Sequence, residues 1–267
     1  MESDFGRTKR KMSTFRSLAP QATSRTALAV CILLIAAGAW LALWLLDSPS
    51  QALPHHHHHS GGQSETSELA LLLFVVGWTL MTVAMMLPTS LPVLTAFHTI
   101  AGRRGDRSLL VVLVIAGYLL IWALFGIVVY FGNMLLQWLA RSPWLIEHSW
   151  AFGPTLLILA GLFQFTPLKY RCLDKCRSPL TFVIGHWQGR HERLQALRLG
   201  VDHGIFCVGC CWALMLLMFG VGVGSLVWMM ILAMVMGIEK NATWGRRLSA
   251  PLGLSLLASG AAHFVFR

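Results

Sequence analysis

Along this chain apolar residues gather in runs of near-spanning length, separated by short polar or basic intervals. The hydropathy cores fall at 26–46, 69–88, 109–131, 150–166, 205–220, 225–238 and 248–266. A helix needs roughly 20 residues to cross the hydrocarbon of a bilayer. The pattern therefore predicts an all-α fold, a polytopic membrane helix bundle of about seven transmembrane helices. The fifth and sixth runs are short and joined through Gly220, Gly222 and Gly224, which reads either as two tight spans or as one broken hairpin. The fourth is short as well and lies between Pro154 and Pro167.

The polar intervals add orientation. Nineteen of the 21 Lys and Arg residues fall in the amino-terminal tail and in alternate connections, and only Arg141 and Arg267 fall opposite. The positive-inside bias then puts the amino terminus in the cytoplasm and the carboxyl terminus outside. Residues 1–25 read as a basic cytoplasmic tail, and 26–267 as a single transmembrane domain. Within that domain, 47–68 is an extracytoplasmic loop without Lys or Arg that carries five histidines at 55–59. The largest polar piece, 167–204, is a cytoplasmic loop, with the charge pattern of a short surface helix over 190–200. The first apolar run is 21 residues long and lacks an A-x-A site, so it reads as an uncleaved anchor.

Composition agrees with a membrane protein. The chain is 56% hydrophobic and only 12% charged, against about 25% charged in soluble domains. A net charge of +10 is spread over four segments beside the bilayer, which fits lipid headgroups and excludes nucleic acid as the partner it would otherwise imply.

Sulfur is where the chemistry gathers. Cys207, Cys210, Cys211, Met215 and Met218 lie in one apolar run. At about 100° per residue all of them fall within about 80° of Cys207, on one helix face with the thiols at its mouth. Cys172 and Cys176 are four apart, so one helical turn points both the same way. Lys169, Arg171, Lys175 and Arg177 surround that pair, and positive charge draws a thiol toward thiolate. Both clusters lie on the cytoplasmic side, where thiols stay reduced. Soft Cu(I) is the ion that thiolates and thioethers select.

Other candidates are secondary. Met81 and Met85 share a face with Trp78 and Pro88, and with Met215 and Met218 they are the thioether candidates. Pro88 and Pro92 bend the end of the second span and free its carbonyls. His203, just before the cysteine run, is a candidate extra ligand, and the histidines at 55–59 a metal-capture arm. Cys31 reads as a packing residue, His263 as a buried polar site in the last span, and Glu239 and Lys240 as charges that pair locally or with the basic connection.

Four blocks carry a family resemblance: Trp78, Met81, Met85, Met86 and Pro88; Gly161, Gln164, Lys169, Cys172, Cys176 and Pro179; Gly204, Cys207, Cys210, Cys211, Trp212 and Met215; and Glu239 with Lys240. Through them the chain resembles a bacterial family catalogued as a domain of unknown function and described as predicted metal-binding integral membrane proteins. The resemblance implies metal binding and a multi-pass location in the bacterial cytoplasmic (inner) membrane. It does not extend to the amino-terminal tail or the histidine tract.

The leading expectation is a membrane protein that binds a soft transition metal ion at a cytoplasmic-side cysteine site, with copper favoured over zinc. Its role would be metal transport, delivery or homeostasis. The expected metal residues are Cys172, Cys176, Cys207, Cys210, Cys211, His203, Met81, Met85, Met215 and Met218. The lipid bilayer and the metal ion are the expected partners, with other membrane subunits or a metal chaperone as candidates. Two alternatives stay open: a thiol–disulfide redox membrane protein, and a non-catalytic assembly subunit holding structural zinc. Enzymatic activity is not favoured. No P-loop motif is present, which argues against primary pumping, and no G-x-S-x-G or H-E-x-x-H motif for proteolysis.

Overall fold

Run length and proline placement set the elements. A computed structural model describes residues 2–47, 65–102, 106–139, 141, 149–188, 191–221 and 226–265. The histidine tract lies outside the described residues. Ten α-helices occur among them and no strand: α1 (Glu2–Asp47), α2 (Glu65–Met85), α3 (Leu91–Ile100), α4 (Arg107–Leu139), α5 (Phe152–Phe163), α6 (Pro167–Cys176), α7 (Pro179–His186), α8 (Glu192–Val221), α9 (Leu226–Asn241) and α10 (Gly245–Val265).

Five of these are long and apolar enough to cross a membrane: α1 over Ser24–Leu46, α2, α4, α8 over Glu192–Met218, and α10. The expected fourth and sixth spans form α5 and α9, of 12 and 16 residues, both shorter than the roughly 17 a straight crossing needs. Apolar side chains such as Leu34, Leu72, Val112, Val128 and Trp138 face outward, as a lipid-facing surface requires.

α8 is the central element. In its spanning window 56% of residues are buried, against 17–33% in the other four. The surface helix expected over 190–200 and the cysteine-bearing span are one continuous 30-residue helix. Gly200 does not interrupt it, because there the backbone meets α4: a Cβ on Gly200 would lie 2.0 Å from Val114 O, and one on Gly117 2.4 Å from Leu197 O. Small residues permit this close approach of membrane helices. The thiols therefore sit in the middle of a buried helix, not at its mouth.

The proline break after α2 is as expected, and its freed groups are satisfied. Pro88 lacks the N–H that would bond Ala84 O, and Trp40 Nε1 on α1 donates to that carbonyl at 3.1 Å. Thr89 Oγ1 donates to Met86 O at 2.8 Å. A 3₁₀ turn, Pro88–Ser90, then leads into α3. Two lesser expectations fail: Cys31 is exposed on the outer face of α1 rather than packed, and His263 is exposed near the end of α10.

Candidate metal centre

Helical spacing alone lines up the thiols of α8, while the neighbours of α8 decide what those thiols meet. α6 packs across α8 and carries Cys172 and Cys176 to the same place. Cys172 Sγ rests on the bare backbone of Gly209, where a Cβ would lie 2.7 Å from the sulfur. The Cys176 thiol hydrogen-bonds Cys210. All five of these cysteines are buried and all are free thiols. Two clusters separated by some thirty residues are thus one.

The centre of the cluster is a lysine. Lys240, near the end of α9, is buried, and its Nζ lies 2.9 Å from Cys207 Sγ, 3.8 Å from Cys211 Sγ and 3.5 Å from Met86 Sδ. Cys211 Sγ is 3.9 Å from Met86 Sδ. Tyr118 Oη on α4 is 3.1 Å from Cys207 Sγ. Two thiols and a thioether therefore converge on one ammonium, with a phenol hydroxyl on the nearer thiol. His203, one turn before Cys207, is buried with neither ring nitrogen hydrogen-bonded; its ring stacks on Tyr118 at 5.4 Å.

Beside this cluster lies a second buried charge system that accounts for the neighbouring residue. Lys169 Nζ donates to both Glu239 carboxylate oxygens, at 2.7 and 2.9 Å, and to Gln164 Oε1. Ser249 Oγ donates to Glu239 Oε1 at 2.7 Å. Arg177 donates to Glu239 O and, at 2.9 Å, to Thr243 O. These contacts tie α6, α9 and α10 together and fix the end of α9 that carries Lys240.

They also correct the expectation that basic neighbours activate Cys172 and Cys176. Lys169 and Arg177 direct their charge at Glu239 and at carbonyls, not at the thiols. Burial, with a contribution from Cys210, raises the Cys172 thiol. The hydrogen bond to Cys210, then burial, raise Cys176 well above the ordinary range. This pair rests as thiols.

Of the expected metal residues, the structure brings together Cys172, Cys176, Cys207, Cys210 and Cys211, with His203 adjoining. Met81, Met85, Met215 and Met218 are buried, and a thioether outside that set, Met86, meets the Cys211 thiol. α2 ends at Met85, and the turn that follows aims Met86 inward, while Met85 lines an apolar groove of about 750 Å³ with Trp40, Met230 and Met234. Tyr118 was not singled out from the sequence, although it is one of only three tyrosines and lies in an apolar run. Lys240 was noted only for its charge; adjacent ionisable residues at the end of a span are the signal that marks it.

The donors are those of a soft cation, with the Lys240 ammonium standing among the same sulfurs. With metal–sulfur bonds of about 2.3 Å, three sulfurs arranged trigonally around an ion stand about 4.0 Å apart, and Cys211 and Met86 stand at 3.9 Å. Among the described residues no three His, Cys, Asp or Glu side chains are grouped to hold a metal ion by themselves. A set built on Cys207 and Cys211 is completed by a thioether, a donor that suits Cu(I) and not hard ions.

An all-helical chain with five span-capable helices and a buried sulfur cluster defines a class: helical proteins with membrane-spanning potential and a soft-ligand centre. The sequence profile of the PpoB2 copper chaperone family matches residues 75–263. The chain belongs to that family. The match takes in α2 from residue 75 through the start of the last turn of α10, and so every residue of the cluster. No curated protein and no solved structure matches the chain significantly.

Proposed function

We propose that the protein carries Cu(I) as cargo in a buried site formed by Cys207, Cys211 and Met86, inside a bundle embedded in the bacterial cytoplasmic membrane. The observation that carries this reading is the convergence of two thiols and a thioether, from α8 and the break after α2, around one buried positive charge. Cys210, Cys176 and Cys172 form an adjoining thiol chain through which the ion passes to or from a partner. His203, with both ring nitrogens free, is a further donor within reach of the same helix face. Delivery is favoured over conduction, because thiolates bind Cu(I) too firmly for rapid passage, and transfer between thiols to an accepting protein avoids that barrier. Met81, Met85, Met215 and Met218 then serve as thioether packing around the route. Seven spans, with the amino terminus in the cytoplasm, remain the topology that the basic residues favour.

The test is metal content. The full chain is purified in detergent under anaerobic reducing conditions, loaded with Cu(I), and compared with Cys207→Ser plus Cys211→Ser. One bound copper with predominantly sulfur ligation by X-ray absorption, lost in the double variant, supports the proposal. Stoichiometric zinc that survives loading would instead assign a structural site. Absence of any metal together with a reversible dithiol potential would assign a redox role.

A further inference from the structure

We infer that Lys240 is the specificity-determining residue of this site, and that it selects a monovalent over a divalent metal ion by charge balance. The inference rests on the reading of Cys207, Cys211 and Met86 as the cargo site and adds the rule by which that site discriminates.

The observation is an ammonium without a carboxylate. Lys240 is buried, and its Nζ meets two thiols and a thioether. Among the described residues no Asp or Glu forms an ion pair with it. The carboxylate next to it in sequence, Glu239, faces Lys169 and Ser249 instead. Lys169 and Glu239 therefore cancel, and Arg177 is directed at carbonyls. This leaves Lys240 in the cluster with sulfur and no carboxylate against it, and a buried charge without a counter-charge is costly in a low-dielectric interior.

Metal binding by two cysteines brings in two negative charges, since thiols ligate as thiolates. Cu(I) with the Cys207 and Cys211 thiolates and the neutral Met86 thioether carries a net charge of −1. With the Lys240 ammonium beside it the assembly is neutral. Zn(II) in the same position would be neutral with its two thiolates, and Lys240 would leave it at +1. Without the ammonium the order reverses: Cu(I) leaves −1 buried and Zn(II) leaves nothing. Ligand softness and charge balance thus act in the same direction in the native chain. A site of two cysteines and a lysine rejects the divalent ion that two cysteines alone would accept.

The experiment measures two affinities on the full chain in detergent: Cu(I) against a chromophoric Cu(I) chelator, and Zn(II) against a fluorescent Zn(II) chelator. The variants are Lys240→Met and Lys240→Gln, both neutral and of similar length, with thermal unfolding followed to verify the fold. The expected result is a loss of Cu(I) affinity of at least tenfold and a gain in Zn(II) affinity of at least tenfold in both variants. A change in the Cu(I)/Zn(II) ratio below tenfold, whether both affinities hold or both fall together, overturns the inference, because a merely structural lysine moves both in the same direction. Failure of the cargo reading itself shows elsewhere, as native protein that binds no Cu(I) or binds it undiminished in the Cys207→Ser plus Cys211→Ser variant.

Discussion

Replacing Glu239 by Gln isolates the buried charge system on which the geometry of the centre depends. Glu239 accepts from Lys169 at 2.7 and 2.9 Å and from Ser249 at 2.7 Å, with side chains of the ion pair 0% and 3% exposed. The variant keeps the shape and removes the charge, so Lys169 is left as a buried ammonium with only amide oxygens around it. Removing one partner of a buried pair costs about 3–5 kcal/mol, and at about 2–4 °C per kcal/mol for a chain of this size the melting temperature falls by about 10 °C. Thermal unfolding in detergent, followed by helical circular dichroism, reads this directly. The companion variant, Lys169→Met with Glu239→Leu, removes both charges and is expected to recover most of the loss, since an apolar pair of similar volume is often neutral or better. The reasoning fails if Glu239→Gln melts within about 2 °C of the native chain, or if the double variant is less stable than the single one.

Three further outcomes follow from particular contacts. Met86→Ile is expected to weaken Cu(I) binding about tenfold while Met85→Ile leaves it within about threefold, because only Met86 meets a thiol and a thioether bond is a minor share of affinity beside two thiolates; chelator competition distinguishes the two, and equal losses would show that neither acts as a ligand. Gly209→Ala places a Cβ 2.7 Å from Cys172 Sγ and is expected to destabilise by about 1–3 kcal/mol through overpacking; faster maleimide labelling of Cys172 checks that α6 has been pushed off α8. Because Cys172 and Cys176 are raised in the folded state, the folded chain holds more protons than the unfolded one above the ordinary thiol value of about 8.5. Their contribution to stability is therefore full below that pH and falls as pH rises through the folded values, so a melting temperature that climbs from pH 8.5 to 10, in the native chain relative to Cys172→Ala plus Cys176→Ala, would contradict the assignment.

Much of the architecture was legible because it follows from local sequence. Run length marks α1, α2, α4 and α10 as span-capable helices, and the pair Pro88 and Pro92 marks the break after α2. The i, i+3 and i+4 spacing of Cys207, Cys210 and Cys211 makes their shared face readable from one helix. What the sequence could not show is anything that depends on how α8 is crossed. Its continuation back to Glu192 goes with the contact of Gly200 with Val114, whereas a glycine closing a stretch with Glu192, Arg193 and Arg198 reads equally well as an end. Helical spacing puts Met85 on the face of Met81, but α2 ends at Met85, and it is Met86, in the turn that follows, that meets Cys211. The basic residues around Cys172 and Cys176 were expected to activate those thiols, yet the chain bends Lys169 and Arg177 toward α9. Proximity in sequence stood in for proximity in space, and there it misled.

The same distinction explains why Glu239 and Lys240 do not neutralise one another. Successive residues on a helix project about 100° apart, so one side chain of the pair faces α6 and α10 while the other faces α8 and the turn after α2. Had the acid and the base been three or four residues apart on α9, they would have formed a local pair, and the cysteine cluster would have lost its counter-charge. Adjacency keeps them separate, with Glu239 closing a structural ion pair and Lys240 left facing sulfur. The consequence can be tested by exchange: Glu239→Lys with Lys240→Glu preserves composition and net charge but puts a carboxylate against Cys207 and an ammonium against Lys169. Charge composition alone predicts no change in Cu(I) binding for that variant. The geometry predicts both a large loss of stability and a loss of the bound ion.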